Sequence, residues 1–155
     1  MPIDGRPLEP PIAIDPRTGA IGVGTGVRLE PFQSQRTIEP LVADLIVQRQ
    51  DHGNGYIWLY LDGLGFGGQP ASLSLCFHGG RLEQISWNVM LPGAPLKDGW
   101  PTPEAIDAEI QFVRDVLARE GLALDGGTRN CAWGSLWSDY DPRAGMASHG
   151  LRYVR

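Results

Sequence analysis

Apolar residues recur along this chain in two rhythms. Between residues 56 and 89 the period is two. Ala71, Leu73, Leu75 and Phe77 alternate with Ser72, Ser74, Cys76 and His78, the pattern of a strand with one buried face. In Tyr56-Ile57-Trp58-Leu59-Tyr60-Leu61 the aliphatic residues occupy one parity and the aromatic residues the other. Both faces of that strand are apolar, so each needs a cover or a partner. Gly79-Gly80 reads as a two-residue hairpin turn, which places Phe77 opposite Leu82. Ile85, Trp87 and Val89 then fall on the wrong parity. The pattern therefore predicts a β-bulge near Glu83-Gln84, where one extra residue restores the apolar face.

Further on the period becomes helical. Ile106, Ile110, Val113 and Leu117 form one stripe, with Phe112 and Val116 beside it. Thr102-Pro103-Glu104 supplies a cap, a proline at the first helical position and an acid in the first turn. Gly121 supplies the stop. This predicts a long helix over 103–120 covering one sheet face. Ile38, Leu41, Val42, Leu45 and Ile46 follow Ser34 and Thr37, either of which can cap, and predict a shorter helix over 37–47 at an edge or end of the sheet.

Turn chemistry punctuates the rest. Residues 1–10 hold three prolines and read as an extended arm. Asp15-Pro16-Arg17-Thr18-Gly19 joins two short apolar runs as a hairpin, and Val27 with Leu29 marks another short strand. Residues 51–55, 63–68 and 91–101 read as loops. Cys131–Trp137 and Ser148–Val154 read as a second hairpin, closed by Asp141-Pro142-Arg143-Ala144-Gly145, the same D-P-R-x-G pattern used a second time. The expectation is a single α+β domain over 1–155, built on a mainly antiparallel twisted sheet of about six strands. No strand–helix–strand repeat supports a parallel, doubly wound sheet.

Composition narrows the function classes. Gly and Pro, 21 and 13 of 155 residues, fit many short strands and tight turns. A net charge of −5 disfavours non-specific nucleic-acid binding and attachment to an anionic membrane. No run approaches the roughly 20 apolar residues of a spanning helix. Residues 1–7 lack the apolar core of a signal peptide, so the expected compartment is the cytoplasm.

Candidate chemistry is sparse. His52, His78 and His149 share no metal-ligand spacing, and neither Cys76 nor Cys131 belongs to a CxxC pair. His52 is read as a loop residue, and His78 and His149 as strand residues on a polar or half-exposed face. Gly22-x-Gly24-x-Gly26 is followed by Val27 and a strand-like stretch, where a phosphate loop needs a helix. Ser135 and Ser138 stand in no GxSxG elbow. No catalytic residue, cofactor or metal is expected. Trp58, Trp87, Trp133 and Trp137 fall on strands. Trp100 sits in a Pro/Gly loop, either as a staple under the following helix or as an exposed aromatic anchor.

A resemblance rests on Ile14-Asp15-x-x-Thr18-Gly19-x-Ile21, on Phe77-x-Gly79-Gly80-x-Leu82, and most strongly on Trp133-Gly134-x-Leu136-x-Ser138-x-Tyr140-Asp141-Pro142-x-x-Gly145 with the closing Leu151-x-Tyr153. In these the chain resembles small bacterial proteins regarded as candidate immunity proteins of polymorphic and type VI toxins. Gly150 departs from the pattern, standing where a β-branched residue is expected. The resemblance brings no catalytic motif and implies a protein that binds another protein, namely a cognate toxin encoded nearby. Partner-binding residues are expected in two Pro-flanked segments that set an aromatic beside acids, Asp98 with Trp100 and Asp139-Tyr140-Asp141. The alternative is a small enzyme or small-molecule-binding domain whose site assembles from distant residues.

Overall fold

The computed structural model describes residues 10–24 and 26–155. In chain order, β1 (Ile12–Ile14), β2 (Ile21–Val23) and β3 (Arg28–Leu29) precede α1 (Gln35–Val42) and a 3₁₀ turn (Ala43–Leu45). Four longer strands follow, β4 (Ile46–Asp51), β5 (Tyr56–Phe66), β6 (Gln69–His78) and β7 (Arg81–Val89). Two short strands, β8 (Leu96–Lys97) and β9 (Trp100–Pro101), lead into α2 (Pro103–Arg119), and β10 (Thr128–Cys131), β11 (Gly134–Asp141) and β12 (Met146–Tyr153) complete the order. The main sheet has seven antiparallel strands in the order β10-β11-β12-β7-β6-β5-β4, beside a small β1-β2-β3 sheet and the β8-β9 ribbon. The architecture is α+β, as the patterning predicts, with seven strands in the main sheet instead of about six.

One row of side chains shows how the alternation builds the core. Leu59, Leu75, Ile85, Leu151 and Leu136 stand opposite one another across five strands, and all five are fully buried. Directly opposed residues on one face are within side-chain contact, the unit of sheet stabilisation. The bulge falls as expected. Cys76 pairs with Gln84 and Phe77 with Leu82, so Glu83 is the extra residue that puts Leu82 and Ile85 on the same face.

α2 forms as predicted. Thr102 Oγ1 accepts the Ala105 N–H at 3.2 Å, and the stripe Ile106, Ile110, Val113, Val116 and Leu117 is buried. The helix packs over β11 and β12. The small sheet is latched to the core through the first D-P-R-x-G turn, where Trp133 Nε1 donates to the Pro16 carbonyl at 3.0 Å and the Tyr153 hydroxyl to the Gly19 carbonyl at 2.6 Å. The two D-P-R-x-G turns share one construction. In each, the Asp side chain accepts the Arg N–H at 2.9 Å (Asp15 to Arg17, Asp141 to Arg143). The Gly N–H bonds the Asp carbonyl at 2.8 Å, and the glycine sits at φ 75° or 68°.

Four expectations need correction. The first helix spans Gln35–Val42, not 37–47, capped by Ser34. Residues 46–51 instead add an edge strand to β5, where ladder hydrogen bonds outweigh the helical spacing of Leu45 and Ile46. Residues 63–66 belong to β5, with an irregularity between Leu61 and Leu64, and only Gly67-Gly68 turns. The run 131–137 is broken at Ala132-Trp133 into β10 and β11, because Cys131 pairs back on Gly134. The 91–101 loop contains the β8-β9 hairpin. The extended arm lies outside the described residues except for Pro10.

Candidate interaction site

The two segments singled out in the sequence leave the sheet at the same end. β7 and β11 both pair antiparallel with β12, so they run parallel to each other. β7 therefore delivers the 90–100 segment, and β11 the Asp139–Asp141 turn, to the same end of the sheet. No hydrogen bond or ion pair among the described residues joins the two segments directly. Five of the eight exposed large apolar side chains among the described residues, Met90, Leu96, Trp100, Tyr140 and Met146, lie on or beside these two segments.

Each segment is built on a tight turn. Lys97 pairs with Trp100 across a two-residue turn in which Asp98 and Gly99 both take positive φ, 55° and 82°. Asp-Gly is the favoured composition of such a turn, and that dipeptide was the signal in the sequence for a hairpin where a loop was expected. Trp100 is 68% exposed. It is presented on the ribbon and does not staple the helix. At the other segment Tyr140 is half-exposed and Asp141 caps its turn. Asp139 lies 3.3 Å from Arg114 of α2, whose Nε also donates to the Ser138 carbonyl at 2.9 Å. Lys97 and Arg143 stand among the acids, so this end is mixed in charge.

Between α2 and the β7–β9 segment lies a groove of about 390 Å³, lined mainly by Met90, Leu91, Leu96, Pro101 and Ala105 with Glu109 as its one charged residue. Behind Glu109 runs a buried relay. Glu109 Oε2 is 2.7 Å from His149 Nε2, and His149 Nδ1 is 2.8 Å from Ser138 Oγ. Serine, histidine and carboxylate in a hydrogen-bonded series invite a nucleophilic reading. Burial argues against it, since Ser138 is 0% and His149 1% exposed and the hydroxyl meets no solvent or cleft. The relay instead satisfies three polar groups beneath α2, as buried polar groups require. His149 on a half-exposed face is thus a correction. It shares parity with Leu151 and Tyr153, which could have revealed its burial. Glu109 also carried a signal, lying three residues after Ile106 and four before Val113 on the apolar flank of the helix.

The sheet face opposite the Leu59–Leu136 row is different in kind. Gln48, Tyr60, Ser74, Ser86, Gly150 and Trp137 form a cross-strand row with no charge. Tyr56 and Trp58 share this face. The aromatic residues and serines are half-buried. Tyr56 stacks on His78 at 4.2 Å between ring centroids. Cys76 lies on this face but is buried beneath its neighbours, and burial together with the nearby Glu83 carboxylate pushes its thiol up to about 11. Both cysteines are free. No group of three or more His, Cys, Asp or Glu among the described residues is placed to hold a metal ion. No helix among them is long and apolar enough to cross a membrane.

No family model matches the chain, and no curated protein does either. Among solved structures, it matches a chain of the structure described as Rhs1-CT in complex with cognate immunity protein RhsI1. The TM-score is 0.51 at 9% sequence identity, covering 92% of this chain and 86% of that one. The two share a fold across nearly their whole lengths.

Proposed function

We propose that this protein is a cytoplasmic immunity-type protein that neutralises a cognate toxin by binding it, occluding the toxin's active site or substrate path. The reading rests on the end of the sheet where two tightly turned segments each carry an exposed aromatic, with Met90 and Met146 exposed beside them. Exposed aromatic and methionine side chains on a preorganised backbone are what a protein interface uses, because little conformational freedom is lost on docking. The fold, shared with a chain of a toxin–immunity complex, and the net charge of −5 support it. Toxins that act on nucleic acid are often basic, and complementary charge speeds association. Asp98, Trp100, Asp139, Tyr140 and Asp141 are the contact residues of this reading.

The test is co-expression with the toxin encoded by the adjacent gene. Rescue of growth together with co-purification of the two proteins supports the proposal. A harmful neighbour that this protein neither binds nor neutralises, or a neighbour harmless alone, overturns it.

A further inference from the structure

We infer that the groove beside α2 receives one basic side chain of the partner, a lysine or arginine, whose charged head meets Glu109. The inference rests on the toxin-binding reading and adds to it a residue and a chemistry. The Glu109 side chain is 22% exposed, with hydrogen-bond partners on one carboxylate oxygen only. Oε2 takes His149 Nε2 at 2.7 Å and the Val89 N–H at 3.4 Å, whereas Oε1 has no hydrogen-bond partner among the described residues.

The groove's lining narrows the occupant. At about 390 Å³ it lies near the lower bound of ligand-sized sites, roughly 300–1,000 Å³, with ample room for one long side chain. Its walls, Met90, Leu91, Leu96, Pro101 and Ala105, offer no second charge. Lysine and arginine combine an apolar stem with a cationic head, which matches apolar walls leading to one carboxylate. Met90 and Leu96, 63% and 65% exposed, form the rim, and Leu96 belongs to the same ribbon as Trp100. The relay through His149 and Ser138 fixes the carboxylate in place, so charge pairing there costs little reorganisation.

The experiment measures affinity by calorimetry, using the adjacent toxin domain inactivated in its own active site. Glu109→Gln keeps a side-chain oxygen to accept from His149 and removes the charge. Leu96→Arg sets a competing cation at the exposed rim and leaves the relay intact, so it serves if Glu109→Gln fails to fold. Each change is expected to weaken binding at least about tenfold, and Glu109→Gln also to flatten the salt dependence of the affinity. A Lys→Met or Arg→Met scan of the toxin should find one basic residue whose loss costs the wild type but not the Glu109→Gln protein. If the toxin binds the wild type and both variants equally, the groove is no anchor site, although the immunity reading stands. If the toxin does not bind the wild type at all, that reading falls and this inference with it. If a free amine or guanidine compound fills the groove and leaves toxin binding unchanged, the site is a small-molecule site and the inference is overturned.

Discussion

The indole of Trp137 lies over Gly150, its partner in the β11–β12 ladder, so closely that a Cβ at position 150 would come within 2.5 Å of the ring and 2.8 Å of the Ile85 carbonyl. The glycine in the last strand is therefore a packing requirement. Gly150→Val should destabilise the protein by about 1–3 kcal/mol or more, the usual cost of overpacking, read as a lower denaturant midpoint with unchanged slope. Replacing Trp137 with Leu in the same chain should recover only part of the loss, because the Ile85 carbonyl remains in the way.

Cys76 gives a pH prediction with a definite sign. Its folded-state pKa is raised from an ordinary value near 9 to about 11. Its contribution to stability is thus fully present below about pH 9 and is lost as the pH rises toward 11, where the unfolded chain releases a proton that the folded chain keeps. Stability should fall over that window, and less steeply in Cys76→Ala. In the native protein at pH 8, a thiol reagent should label half-buried Cys131 well before Cys76. Equal labelling rates would contradict the buried placement.

The latch between the small sheet and the core can be tested at one atom. Tyr153→Phe deletes the hydroxyl that reaches the buried Gly19 carbonyl at 2.6 Å. It should cost about 1–3 kcal/mol, the penalty of leaving a buried acceptor unpaired. Amide exchange should then accelerate in residues 12–23 more than in the main sheet.

Binding and stability should separate at Trp100. The side chain is 68% exposed, so Trp100→Ala should leave the melting temperature nearly unchanged while weakening toxin binding by more than about 1 kcal/mol. Asp139→Arg with Asp141→Arg should weaken binding by about 2–4 kcal/mol. Asp141→Asn, which can still accept the Arg143 N–H, is the control for the turn itself. Wild-type affinity in a folded Asp139/Asp141 double variant would remove that turn from the interface.

Where periodicity and turn chemistry agreed, the sequence was a sufficient guide. The long helix, the Gly79-Gly80 hairpin, the extra residue at Glu83 and both D-P-R-x-G turns needed only local rules. The failures came where a distant partner decided. Ile46 fits a helical stripe until β5 offers a free edge. Ala132-Trp133 looks like strand interior until Cys131 folds back onto Gly134. For the site, the bends were legible because Pro, Gly and Asp mark turns, whereas the sequence left Trp100 open between a staple and an exposed anchor. The Ser138–His149–Glu109 relay was not, since it joins residues on β11, β12 and α2 and depends on how the helix crosses the sheet. Even so, the parity of His149 and the position of Glu109 on the stripe held half of that information.

The place of β12 in the sheet sets the order of events in the making of this protein. It is the last strand in the chain, yet it lies third of seven, between β11 and β7. Until residues 146–153 have left the ribosome, β10 and β11 have no route onto the other four strands, and β7 presents an unpaired edge. The sheet therefore closes only after synthesis has passed its final strand. A nascent or prematurely terminated chain offers that edge to other chains, the condition under which aggregation competes with folding.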